Sequence, residues 1–443
     1  MTRLFGTDGV RGIANDYLTP KMAFELGAAA CSVLRNEDEI PVFVVGMDTR
    51  ISGDMLFCAL ASGIMSAGGD VVDLGIIPTP AVAVLTKYYN ANAGVVISAS
   101  HNPYYDNGIK FFGPDGFKLD DDLEDKIQER MDDYDRVSHE NIGCKLLCRD
   151  AEGIYRDYVT DKFRKTKLSG LKIALDCANG ATENVAAMVF EELGAEVEVY
   201  FNESSGININ DGCGSTHTEK LCEIMKAGSY DIGFAFDGDG DRLIVVDKNG
   251  NEINGDRLIY AIAVDLHEKG LLEKDTVVAT VMSNFAMDSA LKNHGIEVVR
   301  TKVGDRYIMQ EMLKSEYSFG GEQSGHMIYL PANTTGDGII SAVIVAEMVK
   351  NGNLDKYLGE INLFPQALVN AKVRREMKEN YMSVPEVKDA IDEINKKYDG
   401  IGRLLIRPSG TENLVRVLIE GSDEEMISRD AKSLAEVIEK YCN

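Results

Sequence analysis

Three carboxylates at alternate positions, Asp237, Asp239 and Asp241, are separated only by glycines. Carboxylates this close repel one another unless a cation lies between them, and a hard divalent ion such as Mg²⁺ prefers oxygen ligands of this kind. The apolar run at 232–236 predicts a buried strand that ends at these carboxylates. Because open α/β sheets bind ligands at the carboxyl ends of their strands, the run predicts a metal site.

Three alternatives to a metal site can be weighed from the spacing. A Gly-Asp run can be a solvated turn. An EF-hand loop needs Gly at its sixth position and Glu at its twelfth, whereas this chain has Arg242 and Lys248 there, so an EF-hand is excluded. A phosphatase phosphorylated on an aspartate of this run stays open until another nucleophile is identified.

Length and charge indicate a multidomain globular protein. At 443 residues the chain is too long for one hydrophobic core and predicts about three or four domains. Its 46 Lys and Arg residues against 72 Asp and Glu residues give a net charge of −26. This charge argues against nucleic acid or an anionic membrane as a partner, and a phosphorylated ligand would need a few locally placed cations.

The cysteines and apolar segments favour a cytoplasmic location. The eight cysteines are scattered, and the close pair Cys144 and Cys148 lacks the companions of a zinc site, which favours reduced thiols. No apolar stretch reaches the length of a membrane helix, and residues 1–4 do not resemble the start of a signal peptide.

A short pattern that ends a helix and begins a strand occurs three times. Gly68, Gly194 and Gly295 each follow a segment of helical character and precede a strand-like run. The apolar runs that precede these helices lie at residues 42–45, 171–175 and 277–281. Strand, helix, glycine and strand in this order make a βαβ unit, so we predict three tandem α/β domains with parallel or mixed sheets.

The chain from about residue 369 onward lacks this repeat and predicts a smaller α+β domain. We expect capping boxes at 383–386 and 422–425, with strands at 403–406 and 415–420 between the two helices that they begin. The first helix should end near Lys397. The face that the last helix should bury consists of Ile427, Ala431, Leu434 and Ile438.

Ser100 and His101 are a candidate nucleophile and base after another predicted strand, at 94–97. Adjacent residues of a strand point to opposite faces, and the Gly-x-Ser-x-Gly pattern of a hydrolase is absent, so these residues alone favour a polar turn. Lys110 follows a predicted turn at 106–108 and would by default be a surface charge.

A candidate phosphate-binding loop lies after the strand at 403–406. Its side-chain donors and its glycine, which frees backbone N–H groups, make an anion-binding composition that a simple turn would not require. The residues concerned are Arg407, Ser409, Gly410, Thr411 and Arg416.

Glu322 and Ser324 follow another predicted strand. Two residues apart in an extended segment, they can face one pocket and bind vicinal hydroxyls of a sugar, while Gln323 would point away. A polar strand end without a ligand is an equally good interpretation.

Five motifs resemble those of the α-D-phosphohexomutase family in their order along residues 3–420. The chain departs at Asn413, where the family commonly has a proline. The segment 301–307 and the form of the fourth motif are similar to the branch of the family that acts on glucosamine phosphates. The motifs are Phe5-Gly6-Thr7-Asp8-Gly9-Val10-Arg11-Gly12, Ser98-Ala99-Ser100-His101-Asn102-Pro103, Asp237-Gly238-Asp239-Gly240-Asp241-Arg242, Gly321-Glu322-Gln323-Ser324-Gly325-His326 and Arg407-Pro408-Ser409-Gly410-Thr411-Glu412-Asn413.

The resemblance implies a phosphorylated serine, Ser100, as the catalytic group, which would exclude phosphorylation of Asp237. It implies Lys110 or His101 as the general acid and base, with Lys110 favoured, and Arg11 as a cation that neutralises the phosphoserine. One Mg²⁺ per chain would be held by Ser100, Asp237, Asp239 and Asp241. The implied substrate-binding residues are Arg242, Glu322, Ser324, His326, Arg407, Ser409, Gly410, Thr411 and Arg416.

The implied reaction is an isomerisation of glucosamine 6-phosphate and glucosamine 1-phosphate through a sugar bisphosphate that turns end for end. The alternatives are a mutase for glucose or mannose phosphates and an inactive phosphosugar-binding protein. The bisphosphate would also act as activator, and a kinase could prime the serine. The oligomeric state is left open by the sequence.

Four domains facing a central cleft are implied by the same resemblance. They are a nucleophile domain at 1–153, a metal-binding domain at 154–254, a sugar-binding domain at 255–368 and a phosphate-binding domain at 369–443. Closure of the last domain would exclude water from the phosphoserine.

Overall fold

A computed structural model of the chain describes residues 3–6, 8–35, 39–409 and 413–443. These residues form four β-sheets, of six, five, four and three strands. The chain divides into two compact units, unit 1 with residues Met1–Met282 and Ile296–Leu358, and unit 2 with residues Ser283–Gly295 and Gly359–Asn443. Unit 1 contains the three larger sheets, and unit 2 contains the smallest.

The first sheet has the strand order β1-β5-β4-β2-β3-β6, with a parallel core of four strands and two antiparallel strands at one edge. Its elements are β1 (Val10–Ile13), α1 (Pro20–Leu34), β2 (Val42–Met47), α2 (Gly53–Ser66), β3 (Asp70–Ile76), α3 (Thr79–Tyr88), β4 (Ala93–Ile97), β5 (Asp106–Phe112), α4 (Asp121–Arg130) and β6 (Lys145–Leu147).

The second sheet has the order β11-β10-β9-β7-β8, in which β9, β7 and β8 are parallel and β10 is antiparallel to its neighbours. Its elements are α5 (Ala151–Lys162), β7 (Lys172–Asp176), α6 (Val185–Glu192), β8 (Glu196–Tyr200), α7 (Glu219–Ala227), β9 (Ile232–Phe236), β10 (Leu243–Asp247) and β11 (Glu252–Ile253).

The third sheet has the order β13-β12-β14-β15, with only β15 antiparallel. The elements of this part of the chain are α8 (Gly255–Glu268), β12 (Thr276–Thr280), α9 (Ala286–Lys292), β13 (Glu297–Thr301), α10 (Asp305–Ser315), β14 (Phe319–Gly321), β15 (Met327–Tyr329), α11 (Gly338–Lys350) and α12 (Leu354–Gly359).

The three predicted βαβ units are present. Each consists of two parallel, directly paired strands with a helix between them in the chain: β2-α2-β3, β7-α6-β8 and β12-α9-β13. The glycines after the helices, Gly68, Gly194 and Gly295, have φ of 87°, 94° and 76°. Only glycine adopts this left-handed conformation without strain, so each glycine ends its helix and turns the chain into the next strand.

The last sheet, in unit 2, is antiparallel with the order β16-β18-β17, which confirms the predicted α+β character. The predicted helix face is buried, since Ile427, Ala431, Leu434 and Ile438 are at most 2% exposed. The elements are β16 (Gln366–Lys372), α13 (Pro385–Tyr398), β17 (Gly402–Pro408), β18 (Leu414–Gly421) and α14 (Glu424–Cys442).

Neither predicted capping box begins its helix as expected. Ser383 lies in a short 3₁₀ turn and donates its hydroxyl to the Asn380 carbonyl at 2.6 Å, so α13 begins without a side-chain cap. The cap of α14 is Asp423, which accepts from the Met426 N–H at 2.9 Å. Ser383 is thus engaged by a carbonyl three residues earlier, and at the second helix the adjacent Asp423 takes the capping position in place of Ser422.

The cysteines and the helices can be compared with the sequence analysis. All eight cysteines are free thiols. No helix within the described ranges has both the length and the apolar character needed to cross a bilayer.

Candidate active site

Two loops of unit 1 meet at the carboxyl ends of their strands. The loop after β4 carries Ser100, and the loop after β9 carries Asp237, Asp239 and Asp241. Gly238 lies at their contact, where a Cβ atom would come within 2.7 Å of the Ser100 carbonyl oxygen. Glycine at this position therefore allows the close approach of the two backbones.

Ser100 directs its hydroxyl at the acidic loop. Its Oγ donates to Asp237 Oδ2 at 2.6 Å, and the residue is 1% exposed. Its φ is 53°, in the left-handed region that a serine seldom adopts. Its N–H is held by Ser98 Oγ at 2.9 Å. Strained backbone of this kind persists where surrounding contacts enforce it, and it is concentrated at functional sites.

Arg50 enforces that conformation, although the sequence analysis did not identify it. Its buried guanidinium donates to the carbonyl oxygens of Ser100 and Asn102, each at 2.8 Å, and to that of Asp106 at 3.1 Å. Its Nε also bonds Asp48 Oδ2 at 2.9 Å. One planar cation with five donors thus fixes the loop around the serine.

His101 lies beside the hydroxyl, with Nδ1 3.3 Å from Ser100 Oγ. The expectation that the two side chains point apart is wrong, because β4 ends at Ile97 and Ser100 is not in an extended conformation. Burial, together with the cations Arg242 and Arg11, lowers the pKa of His101 to about 4. The imidazole is therefore neutral near pH 7 and able to accept a proton.

The three aspartates converge closely enough to hold one cation. One carboxylate oxygen from each lies within 4.8 Å of the others. Asp239 Oδ1 and Asp241 Oδ1 are buried and have no hydrogen-bond partner among the residues that the structure describes. Burial, and then the charges of Asp241 and Asp239, raise the pKa of Asp237 well above its usual value. Unpaired buried carboxylate oxygens of this number and type fit a hard divalent cation.

Lys110 is part of this site and not a surface charge. It lies inside β5, which begins at Asp106 where a turn was expected, and it is 1% exposed. Its Nζ donates to Asp239 Oδ2 at 2.9 Å, beside the hydroxyl of Thr79, which bonds the same oxygen at 2.7 Å. Burial opposes its charge, but Asp239 and Asp8 raise the pKa of Lys110, so it is an ammonium.

Arg11 and Arg242 add two more cations. Arg11 forms an ion pair with Asp8, and its Nε is buried and has no hydrogen-bond partner within the described part of the chain. The backbone N–H of Arg242 donates to Asp237 Oδ1 at 3.1 Å, while its Nε lies 3.8 Å from Asp241 and has no hydrogen-bond partner. Unused, buried guanidinium donors next to the serine suit an anion such as a phosphoryl group.

The segment predicted to bind sugar forms a turn, because Gly325 N–H donates to the Glu322 carbonyl at 2.9 Å. Glu322 Oε1 accepts from Gly304 N–H at 2.9 Å, and Ser324 is exposed. The argument that Gln323 points away in an extended segment therefore does not apply. His326 leaves the turn buried, with Nδ1 3.6 Å from Asp241 Oδ2.

The predicted phosphate-binding loop is partly described. Arg407 in β17 pairs directly with Arg416 in β18, and Arg416 Nε is buried without a hydrogen-bond partner in the described ranges, which omit residues 410–412. Ser409 follows β17 and is 2% exposed. Two like charges opposite each other in a sheet are unfavourable unless an anion neutralises them. Gly410 and Thr411 lie outside the described residues.

Several residues that shape the site were missed by the sequence analysis. Asp8 and Asp305 lie within motifs that were quoted but were given no role, and Arg50 lies at the carboxyl end of β2, next to β4 in the sheet. The position of Arg50 just after a predicted strand could have indicated that it belongs to the site. Thr79 and Lys118 have no local signal, since their partners are distant in the chain.

Comparison with known proteins assigns the chain to a class. Models of all four domains of one family match it, described as phosphoglucomutase/phosphomannomutase alpha/beta/alpha domains I, II and III and the C-terminal domain. They match residues 2–138, 154–250, 254–364 and 368–437. The chain belongs to the phosphoglucomutase/phosphomannomutase family, which confirms the predicted resemblance.

Its curated relatives give a narrower likeness. The chain is 52% identical to the phosphoglucosamine mutase of Caldanaerobacter subterraneus subsp. tengcongensis over all of both chains. It is 51% identical to that of Ruminiclostridium cellulolyticum, over 99% of each chain.

Solved structures share the fold. A phosphoglucomutase/phosphomannomutase family protein from Burkholderia thailandensis superposes with a TM-score of 0.82 at 23% identity, covering 100% of this chain and 99% of that one. The N-acetylphosphoglucosamine mutase of Aspergillus fumigatus, in complex with GlcNAc-6P and magnesium, gives a TM-score of 0.68 at 18% identity, covering 99% and 96%.

Proposed function

We propose that this chain interconverts glucosamine 6-phosphate and glucosamine 1-phosphate, with Ser100 as the group that carries the phosphoryl. The observation that carries the proposal is the 2.6 Å contact between Ser100 Oγ and Asp237, inside a buried group of three aspartates. The curated relatives at 50–52% identity over nearly their whole length are named for this activity. An aspartyl phosphatase is disfavoured, since a buried serine hydroxyl occupies the place of the substrate at Asp237.

The aspartates would hold one Mg²⁺ per chain together with an oxygen on Ser100. When bound, the ion neutralises negative charge on the phosphoryl group and helps to fix its position. Asp239 and Asp241 each have a buried oxygen available for it. This donor set of short carboxylates on a glycine-containing loop supports magnesium over softer metals.

The chain's own cations would stabilise the phosphoserine and the transferring group. Lys110 contacts Asp239, and Arg11 and Arg242 lie close enough to His101, the neighbour of the Ser100 hydroxyl, to lower its pKa. The two guanidinium groups have Nε donors without a hydrogen-bond partner among the described residues. Phosphoryl transfer needs this positioning and charge neutralisation more than covalent activation.

Each half-reaction moves one phosphoryl group and one proton. In the first, the Ser100 Oγ–P bond breaks and a bond from phosphorus to the oxygen of the free sugar hydroxyl forms. The hydroxyl proton passes to a base, and Ser100 Oγ takes up a proton from an acid, which leaves the serine as a hydroxyl. Lys110 and His101 are the candidates for proton transfer. His101 is neutral and can take the proton directly, whereas Lys110 is charged and suits the role of acid or electrostatic stabiliser. The second half-reaction reverses these steps at the other end of the sugar.

A sugar that reacts at both ends needs a phosphate-binding site that accepts either phosphate. Arg407 and Arg416, paired across β17 and β18, are proposed for this site, with Ser409, Gly410 and Thr411. Glu322, Ser324 and His326 are proposed to bind sugar hydroxyls. The sugar bisphosphate would serve as intermediate and activator, and a kinase could provide the first phosphate. The free thiols favour a reducing compartment, and we include a cytoplasmic location in the proposal.

The test of the substrate is a panel of glucosamine 1-phosphate, glucose 1-phosphate and mannose 1-phosphate, each with Mg²⁺ and with EDTA. The expected result is metal-dependent turnover that is highest with glucosamine 1-phosphate. A preference for glucose or mannose phosphate would overturn the sugar assignment, and turnover unaffected by EDTA would overturn the metal.

The test of the nucleophile is intact-mass measurement. We expect added mass of one phosphoryl group in the unaltered protein and its loss in Ser100→Ala. The matched control is Ser62→Ala, an exposed serine on α2 whose hydroxyl donates to the Cys58 carbonyl in the same helix. Full mutase turnover by Ser100→Ala would refute the role of this serine.

A further inference from the structure

Lys118 is a buried cation with no role in the proposed chemistry. It lies between β5 and α4, and its side chain is 17% exposed. Its Nζ contacts Asp8 Oδ1 at 2.7 Å and Asp305 Oδ2 at 2.5 Å. Burial opposes all three charges, but Asp305 and Asp8 raise the pKa of Lys118. Lys110, followed by Lys118, lowers the pKa of Asp8, and Lys118 lowers that of Asp305. Lys118 therefore holds two carboxylates at one point.

Each of these carboxylates contacts a different candidate for acid–base or substrate chemistry. Asp8 Oδ2 lies 3.3 Å from Lys110 Nζ. Asp305 Oδ2 lies 3.7 Å from His326 Nε2. Asp8 thus links Lys118 to Lys110, and Asp305 links it to His326.

The chain of contacts returns to the acidic loop at both ends. Lys110 Nζ lies 2.9 Å from Asp239, and His326 Nδ1 lies 3.6 Å from Asp241. Acidic and basic residues alternate along this series. They come from all three parts of the chain that form the larger sheets. We call these residues the charge circuit; in order, they are Asp239, Lys110, Asp8, Lys118, Asp305, His326 and Asp241.

We infer that Lys118 is a positioning residue, which sets the placement of Lys110 and His326 at once by holding Asp8 and Asp305 together. The inference rests on the proposed function for its kinetic consequence. Without the ammonium, the two partly buried carboxylates of Asp8 and Asp305 would face each other and repel. Asp8 would then move toward Lys110 and Arg11, and Asp305 toward His326, so both active-site groups would shift from their positions.

A second cation, Arg306, also joins the segment around α4 to α10. Its replacement can therefore show whether Lys118 only stabilises this packing or also positions the active-site groups. Arg306, on α10 next to Asp305, donates to Glu124 of α4 at 2.9 Å and pairs with Asp121. Its side chain is 11% exposed, and the contacts described for that side chain, with Glu124, Asp121 and the Leu119 carbonyl, lie outside the charge circuit. The backbone N–H of Arg306 does donate to Asp305 Oδ1 at 2.8 Å, but a change of side chain leaves this N–H in place. Arg306→Met is therefore the matched control for Lys118→Met.

The experiment compares Lys118→Met, Lys118→Arg and Arg306→Met in steady-state mutase assays and thermal unfolding. We expect Lys118→Met to lower kcat by 10- to 100-fold, the usual loss when a residue that orients an active-site group is removed, with a smaller change in KM. Lys118→Arg should recover part of kcat. Arg306→Met should lower Tm at least as much and change kcat less than threefold.

The variant Lys118→Met/Asp305→Asn removes the unpaired carboxylate as well as the lysine. We expect Tm to recover toward that of the unaltered protein while kcat stays low, because His326 and Lys110 remain unrestrained. Recovery of kcat in parallel with Tm would show that Lys118 acts only through stability, and unchanged kcat in Lys118→Met would overturn the inference.

A readout without substrate separates this inference from the proposed function. Imidazole NMR signals of His326, assigned with His326→Gln, should shift in Lys118→Met and not in Arg306→Met. If the unaltered protein turns over no sugar phosphate, the proposed function fails, and the NMR comparison still decides the positioning role. His326 signals that are equal in both variants would overturn it.

Discussion

Replacement of Arg50 by methionine tests how the serine loop is held. The side chain of Arg50 is fully buried, and its guanidinium bonds Asp48 and the carbonyl oxygens around Ser100. Methionine has similar length but no donor. Asp48 would be left as a buried charge without its partner, and burial already raises the pKa of this carboxyl despite Arg50. Breaking a buried ion pair on one side costs about 3–5 kcal/mol.

The carbonyl oxygens that lose their hydrogen bonds to Arg50 add to the free-energy cost of the broken ion pair. Each buried acceptor left without a donor costs about 1–3 kcal/mol, although water entering the cavity would recover part of it. We therefore expect Arg50→Met to lower the free energy of unfolding by at least about 3 kcal/mol. Ser100 has φ of 53°, and the other donor to its carbonyl oxygen within the described part of the chain is the neutral amide of Asn210. Without Arg50, the loop should therefore also relax.

The assay combines urea unfolding with hydrogen exchange of the backbone at 98–106. Exchange in this segment should rise in Arg50→Met far more than in β4, and mutase turnover should fall by about two orders of magnitude, as expected for a misplaced nucleophile. The exchange and turnover of Arg50→Lys should lie between those of Arg50→Met and the unaltered protein, since one ammonium cannot replace the five donors of a guanidinium. Exposed Arg149→Met is the control. Stability within 1 kcal/mol of the unaltered protein, with unchanged exchange, would refute the reasoning.

Three further predictions follow from close contacts and shifted pKa values. Gly238→Ala should lower both Tm and turnover, because its Cβ would come within 2.7 Å of a carbonyl oxygen of the serine loop, whereas Gly359→Ala, with nothing within 4 Å, should change neither. In thiol labelling at pH 8, exposed Cys58 should react in the folded protein, while buried Cys31, whose pKa burial raises to about 11, should react only after unfolding. Burial raises the pKa of Asp176 to about 7, so the folded state binds this proton more tightly than the unfolded state does. The stabilisation that protonated Asp176 provides should therefore be lost as pH rises from about 4 to 7, by at most about 4 kcal/mol. Comparison of the pH dependence of unfolding with that of Asp176→Asn checks this slope.

Each of the three has a clear contrary outcome. Equal Tm values for the two alanine variants would show that the two loops can separate without cost. Rapid labelling of Cys31 in the folded state would contradict its burial. Parallel pH profiles for the unaltered protein and Asp176→Asn would show that this carboxyl does not titrate in that range.

The fold was predictable where the signal is local. A helix that ends at a left-handed glycine before a β-branched run needs no distant partner, and so Gly68, Gly194 and Gly295 identified the three βαβ units. The metal site was equally local, because Asp237, Asp239 and Asp241 lie within five residues of one another. Resemblance, and not residue chemistry, selected Ser100.

The rest of the site depends on pairings that local patterns do not encode. Its local sequence predicted Lys110 at the surface, and only the family resemblance placed it in the site. Its partner Asp239 lies 129 residues away, in the loop after β9, and that carboxylate keeps Lys110 charged while it is buried. Arg50 and Lys118 were missed for the same reason. His101 was misjudged because the left-handed turn at Ser100 depends on Arg50 and not on the serine's own preferences.

The contact between Ser100 and Asp237 spans 137 positions of the chain, and that between Lys118 and Asp305 spans 187. During synthesis, at about 5–20 residues per second, the first segment leaves the ribosome and can fold many seconds before its aspartate partners exist. In a nascent chain the Ser100 hydroxyl is therefore exposed before the aspartates that contact it have been synthesised. The site can form only late in synthesis.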